Sequence, residues 1–395
     1  MTPIDSNLFM KKIYLDYAAT TPVDPRVTKT MLPYFFKKFG NSMSLHSFGQ
    51  EASQALEASR KTVARLINAE SEEIIFTSSA TESNNLTLKG LAFANKHKNK
   101  NHIIISRIEH DCVLESSRWL KNQGFKITEL SVDRQGFIDI NELKQAITKE
   151  TLLVSIIHGN NEIGTIQDIE KIGQICKSHG VYFHTDASQS LGKVGINVKK
   201  INIDLLTASS HKVYGPKGVA ILFIKKGTII EPILHGGGHE WGKRSSTSNV
   251  AGIVGFAKAV EILQKEMNEE NKKLAKLRDK LISGILKTIP GTHLNGPTGE
   301  KRLSNNVNIS FSAVEGESLV LELDFHGIAV STGSACSSKT LMPSHVLMAI
   351  GLKHQEAHGS LRISVGRFTK EEEIDYTIKT LKKVVDKLRR ISPLI

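Results

Sequence analysis

Between Ile13 and Ile224 short apolar runs alternate with stretches of helical periodicity. The runs are Ile74-Ile75-Phe76, Ile103-Ile104-Ile105, Leu152 to Ile157, Val181-Tyr182-Phe183 and Leu205-Leu206-Thr207. Unbroken apolar runs of this length mark strands buried on both faces, and the helical stretches between them imply a mostly parallel sheet. From Gly255 to Ile289 apolar residues recur at helical spacing (Ala259, Ile262, Leu263, Met267, Leu274, Leu277, Leu281, Ile285), which predicts one helix long enough to bridge two domains. Pro290-Gly291 ends it. The remainder reads as a strand over Val307 to Phe311, a helix, a strand over Leu361 to Val365, and a last helix that Thr369 and Glu372 are spaced to cap. The pattern predicts a large α/β domain over 13–265 and a smaller α+β domain over 266–395, joined by residues 1–12.

Composition is that of an ordinary globular chain, 39% apolar and 23% charged over 395 residues. Three cysteines without a Cys-x-x-Cys give neither a disulfide framework nor a zinc ribbon and suit a reducing compartment. No stretch of about 18 apolar residues and no basic-then-apolar start is present, so the expectation is a cytoplasmic protein with no direct membrane partner. The net charge of +12 raises nucleic acid as a partner, but the lysines fall in short helical patches without interleaved aromatics, which argues for a solvated basic surface.

Three positions carry candidate chemistry. Asp186, in His184-Thr185-Asp186-Ala187-Ser188-Gln189, falls at the end of a predicted parallel strand, where open α/β sheets place ligands. A carboxylate there suits a protonated pyridine nitrogen, and it equally suits a helix cap. Lys212 follows 26 positions later behind Ser209 and His211; desolvated at a strand end it would be a nucleophile for aldehydes, and otherwise it is a surface lysine. Cys336 lies in Ser331-Thr332-Gly333-Ser334-Ala335-Cys336, a run of small residues that leaves a thiol accessible, whereas Cys112 and Cys176 fall in helical patterns and read as packed small hydrophobes. An amine, a carboxylate and a loop thiol are what a pyridoxal phosphate enzyme acting on cysteine needs.

Two further segments fit an anionic substrate. Thr77 to Asn84 follows a strand and opens a helix, which makes Ala80 and Thr81 candidates for a phosphate cup with Ser209 and His211. Arg362, on a strand of the smaller domain, is suited to clamp a carboxylate, or else to a surface ion pair. His235-Gly236-Gly237-Gly238-His239 resembles a hydrolase oxyanion loop, but no Gly-x-Ser-x-Gly is present. Its histidine spacing is that of zinc ligands on a helix, which the three glycines oppose, so no metal is expected and a flexible loop is. Its basic continuation, Lys243-Arg244-Ser245-Ser246-Thr247, would close over an anion.

Together these segments resemble the cysteine desulfurases, pyridoxal phosphate enzymes of the class-V aminotransferase group with fold type I. The likeness runs from Tyr14-Leu15-Asp16-Tyr17-Ala18-Ala19-Thr20-Thr21-Pro22 to Ser364-Val365-Gly366-Arg367-Phe368. It includes Ala80-Thr81-Glu82-Ser83, Glu109-His110, Asn160-Asn161-Glu162-Ile163-Gly164, Asp186-Ala187-Ser188-Gln189, Ser209-Ser210-His211-Lys212 and Gly333-Ser334-Ala335-Cys336. The branch that serves iron–sulfur assembly is the nearest likeness.

The resemblance implies that Lys212 holds the cofactor, Asp186 pairs with its pyridine nitrogen, and Gln189 and Asn161 support its ring. It implies that His110 stacks on the ring and moves protons, that Thr81, Ser209 and His211 bind phosphate, and that Thr247 reaches the phosphate of the other subunit in a homodimer. Arg362, with Asn161, would hold the carboxylate of L-cysteine, and Cys336 would take its sulfur as a persulfide for an iron–sulfur scaffold protein, tRNA thiolation or other acceptors. A selenocysteine lyase or a transaminase is the alternative on the same fold, and a basic nucleic-acid-binding protein with a vestigial pocket is the alternative from another class. Four positions depart from the family pattern: serine replaces glycine at Ser79 and Ser246, Ser42 replaces proline, and Trp241 replaces arginine. The tail with which relatives dock a scaffold is not seen before Ile395, which leaves the strength of that docking open.

Overall fold

A computed structural model describes residues 12–96, 99–333 and 343–391. Cys336 lies outside the described residues. The described strands are β1 (Ile13–Tyr14), β2 (Ile74–Thr77), β3 (His102–Ser106), β4 (Lys126–Leu130), β5 (Thr151–Ser155), β6 (Tyr182–Asp186), β7 (Leu205–Ser209), β8 (Ala220–Ile224), β9 (Thr292–Leu294), β10 (Asn306–Phe311), β11 (Ile328–Ala329) and β12 (Ser360–Ser364).

Seven strands form one sheet in the order β2-β8-β7-β6-β5-β3-β4, parallel throughout except for β8, which runs against both neighbours. The apolar runs anticipate five of these strands and miss two for different reasons. The sequence Lys-Ile-Thr-Glu-Leu of β4 occupies a sheet edge and is largely exposed, so it lacks a continuous apolar run. β8 is fully buried, but it follows the tight turn after Lys212 and enters antiparallel without a crossover helix.

Alternate residues of each strand enter different cores, because a strand turns successive side chains to opposite faces. Ile104, Val154, Phe183, Leu206 and Ile221 pack on one face, with Phe256 and Val260 of the long helix. Ile103, Ile105, Leu153, Leu205 and Leu222 pack on the other. The long helix spans Val250–Thr288, and its second half gives Leu274, Leu277, Leu281 and Ile285 to a separate core. That core lies on the antiparallel sheet β12-β10-β9 and also takes in Ile13 and Leu15. One helix therefore serves two of these three cores.

The last helix, Glu371–Ile391, is capped one residue later than its sequence suggested. Glu373, not Glu372, accepts from the Lys370 amide at 3.0 Å, and Thr369 Oγ1 accepts from Gly366 N at 2.9 Å. With Lys370 as the cap residue, the third helical position is 373, which is where a reciprocal carboxylate belongs.

Candidate active site

The carboxyl ends of β2, β3, β5, β6 and β7 converge on a cavity of about 340 Å³. The structure brings Ala80, Thr81, His110, Asn161, Asp186, Gln189, Ser209, His211, Lys212 and Arg362 to its walls. Thr247 is not among them. It lies in a separate hollow of about 210 Å³ with Arg244 and Ser246.

Lys212 follows β7 in a short 3-10 turn, Ser210–Lys212, and its amine donates to the carbonyl oxygens of Ala18 and Ala19 at 2.6 and 2.8 Å. Burial, then the positive charges of Arg362 and Lys193, lower its pKa to about 7. The segment supplying those carbonyls is itself tied down. Gln189 Nε2 donates to Ala18 O at 2.8 Å, Thr21 N to His211 O at 3.0 Å, and Tyr214 N to Thr21 Oγ1 at 2.9 Å.

Asp186 ends β6 and is 5% exposed. Its Oδ1 accepts from Ser188 N at 2.8 Å and its Oδ2 from Asn84 Nδ2 at 2.7 Å. Asp186 is thus held on two sides where it lines the cavity. His110 caps the helix Asp111–Asn122 through its ring, Nδ1 accepting from Cys112 N at 3.2 Å. Cys112 packs against the core, as its pattern indicated, and it also borders the cavity. Position 112 lies in the first turn of that helix, which abuts the cavity, and its sulfur sits 3.1 Å from both His110 Nδ1 and Asn84 Nδ2. Cys176 is 1% exposed in the large core, as its pattern indicated.

At one end of the cavity the helix Ala80–Asn85 begins. The amides of Ala80 and Thr81 lie in its first turn, where no intrahelical carbonyl can accept from them. Ser79 caps that turn, its hydroxyl accepting from Glu82 N at 3.1 Å, and its extended backbone needs no glycine. Ser209 and His211 complete this end. Burial first, then Lys212 and Lys217, lower the His211 pKa to about 4, so the imidazole there is neutral.

At the other end Arg362, on β12, is 2% exposed. Its Nη2 donates to Asp16 Oδ1 at 3.0 Å and its Nη1 to the carbonyls of Asn161 and Gly333 at 3.3 and 3.4 Å, while Nε has no partner among the described residues. A buried donor left over on a guanidinium facing a cavity suits a carboxylate. Glu162 and His345 also line this end, and neither they nor Asn84 and Asp16 were singled out from sequence. Ser344 Oγ donates to Glu162, whose pKa burial raises, and His345 Nε2 donates to Glu109 O at 2.9 Å.

The residue that follows the glycine-rich segment, Glu240, is held in a buried ion pair. Arg60 donates to both carboxylate oxygens of Glu240, at 2.7 and 3.0 Å, and Phe76 N donates to the same carboxylate at 2.9 Å. The Arg60 guanidinium also lies 4.9 Å from the Phe76 ring and 4.5 Å from the Trp241 ring. Arg244, expected to close over an anion, is instead held by Glu82 at 2.7 Å. Ser246 has φ 153°, a conformation that favours the glycine it replaces.

A cavity with an amine of lowered pKa, a carboxylate held for a ring nitrogen, free amides at one end and a buried guanidinium at the other fits a phosphorylated pyridine aldehyde and an amino acid. Comparison with known proteins bears on the same point. The sequence profile of Aminotransferase class-V matches residues 13–377. The chain belongs to the class-V aminotransferase family. It is 52% identical over 385 residues to a protein of Clostridium botulinum named cysteine desulfurase IscS, covering 97% of each chain. A solved structure titled NifS-like protein superposes with TM-score 0.90 at 40% identity, over 95% of this chain and all of that one. A structure titled SspA in complex with cysteine superposes with TM-score 0.81 at 37% identity, over 91% of this chain and all of that one. The fold is fold type I, and the cofactor of this family is pyridoxal 5'-phosphate.

Proposed function

We propose that this protein is a pyridoxal phosphate-dependent cysteine desulfurase, converting L-cysteine to L-alanine and passing the sulfur to Cys336 as a persulfide. The observation that carries the reading is the buried Lys212 amine, its pKa lowered to about 7, in one cavity with Asp186 and with the buried guanidinium of Arg362. Lys212 and Asp186 would hold the cofactor at amine and ring, with His110 over the ring, Gln189 and Asn161 beside it, and Ala80, Thr81, Ser209 and His211 at its phosphate. Bound there, the cofactor supplies a covalent handle for the substrate amine and a sink for electrons from its Cα.

The chain's own residues do the rest. Arg362 takes the substrate carboxylate and fixes the rotation about the bond to Cα. Lys212, whose pKa burial lowers to about 7, removes the Cα proton. The Cys336 thiolate attacks the substrate sulfur: an S–S bond forms, the C–S bond breaks, and the carbon left behind is protonated to alanine.

We further infer a homodimer. Thr247 is exposed and lies outside its own chain's cavity, so the reading assigns it to the phosphate of a second copy. Leu32, Phe35, Phe36, Phe39, Met43 and Leu45 leave a contiguous stretch of sequence with large apolar side chains exposed, Leu45 at 92%. Exposed apolar surface on this scale marks an interface. The reading also includes the division into a cofactor-holding unit over 13–265 and a smaller unit over 266–395 with 1–12, a cytoplasmic location, and delivery of sulfur to an iron–sulfur scaffold and other acceptors. Among the described residues no helix is long and apolar enough to cross a membrane.

The purified protein incubated with L-cysteine and a reductant should release alanine and sulfide in equal amounts, and Cys336→Ala should abolish the sulfide. A transaminase would instead yield a keto acid and leave Cys336→Ala fully active.

A further inference from the structure

Behind the cavity wall Asn84, Cys112, Asp186 and His110 form one chain of hydrogen bonds. Asn84 Nδ2 lies 2.7 Å from Asp186 Oδ2 and 3.1 Å from Cys112 Sγ, so its two protons serve a carboxylate and a sulfur. Turning the amide over would set its oxygen against the carboxylate, so the chemistry fixes its orientation. The sulfur already accepts from Asn84, which leaves its own proton for His110 Nδ1 at 3.1 Å. That nitrogen also accepts the Cys112 amide at 3.2 Å. Two donors on Nδ1 leave the ring's proton on Nε2.

We propose that Asn84 and Cys112 are positioning residues of the cofactor site: the Asn84 amide fixes the plane of the Asp186 carboxylate, and Cys112, through its backbone amide and its thiol together, holds the His110 ring in place as the Nε2–H tautomer. The proposal rests on the reading that this cavity holds pyridoxal phosphate. It assigns Cys112 the opposite task from Cys336. A thiol serves as nucleophile only as thiolate, and burial with the nearby Asp186 charge raises the Cys112 pKa to about 12. Cys112 therefore keeps its proton and donates it in a hydrogen bond, without reacting. The arrangement links the two groups that the cofactor ring meets, carboxylate and imidazole, through one amide and one thiol, so that neither turns without the other. Such orienting partners act through the groups they hold.

Nitrogen NMR of the holoenzyme with labelled histidine reads the tautomer directly. The expected result is His110 unprotonated at Nδ1 in the wild type and in Cys112→Ser, which keeps a donor. Cys112→Ala keeps the amide donor and with it the tautomer, but should shift the Nδ1 resonance of His110, lower kcat by roughly three- to tenfold as for one lost hydrogen bond, and leave KM for cysteine within about twofold. Asn84→Ala should move the pH midpoint of the bound cofactor's visible absorption. A wild-type His110 protonated at Nδ1 overturns the proposal without recourse to any variant. So does a Cys112→Ala enzyme indistinguishable from wild type, or persulfide sulfur found on the Cys112 peptide after incubation with cysteine. Alanine production by the wild type leaves the desulfurase reading standing in each of these cases.

Discussion

The Lys212 amine donates to the carbonyl oxygen of Ala18 at 2.6 Å, across 194 positions of sequence. Its hydrogen-bond acceptors are carbonyls, and Arg362 and Lys193 oppose its charge, so burial decides its protonation and the pKa falls to about 7. Only the neutral amine attacks an aldehyde. Below that pH the amine is protonated and inert; above it the neutral fraction saturates. Uptake of pyridoxal phosphate by cofactor-stripped protein, followed by absorbance, should therefore accelerate with pH and level off above neutrality. A rate still climbing toward the ordinary lysine value of 10.5 would show that the amine is not desolvated.

Arg362 is the residue through which an amino acid's carboxylate is recognised. A lysine in its place keeps a charge but loses the planar pair of donors, so Arg362→Lys should lower kcat/KM for cysteine by roughly 10- to 100-fold, the worth of a charge-assisted hydrogen bond. The bound cofactor's absorption should be unchanged. If the lysine variant matched wild type, the carboxylate would bind elsewhere.

The Arg60 and Glu240 side chains are 3% and 5% exposed, and removing one partner of a buried pair leaves an uncompensated charge. Glu240→Gln should cost about 3 to 5 kcal/mol in denaturant unfolding. Trp241→Ala removes only the aromatic face over Arg60 and should cost about 0.5 to 2 kcal/mol. Equal losses in the two variants would mean that the ion pair is not the main anchor of this segment.

Much of this site was legible because strand ends are legible. Asp186 and Lys212 each follow an apolar run, and a polar or charged residue just past such a run stands at the sheet's ligand edge. The partners were hidden because they arrive from distant sequence. Asn84 meets Asp186 across 102 positions and Asp16 meets Arg362 across 346, and nothing in either local pattern announces the pairing. Cys112 packs as its periodicity indicated, but helical periodicity does not say which core-facing residue also borders a cavity. β4 escaped notice for the converse reason, since an edge strand with one polar face does not read as a buried one.

The exposed Phe35, Phe36 and Phe39 predict association. Sedimentation of the wild type should give a dimer, and Phe35→Asp with Phe39→Asp should give monomers whose activity falls with the dimer fraction. A fully active monomer would remove Thr247 from any second copy's site.

Borohydride reduction of the holoenzyme, followed by digestion and mass spectrometry, tests the central claim most directly, because it freezes the bond between cofactor and protein. The pyridoxyl group should be found on the peptide carrying Lys212 and lost in Lys212→Ala. Its recovery on Lys193 or Lys217 instead, or on no lysine of a protein that consumes cysteine, would contradict the account.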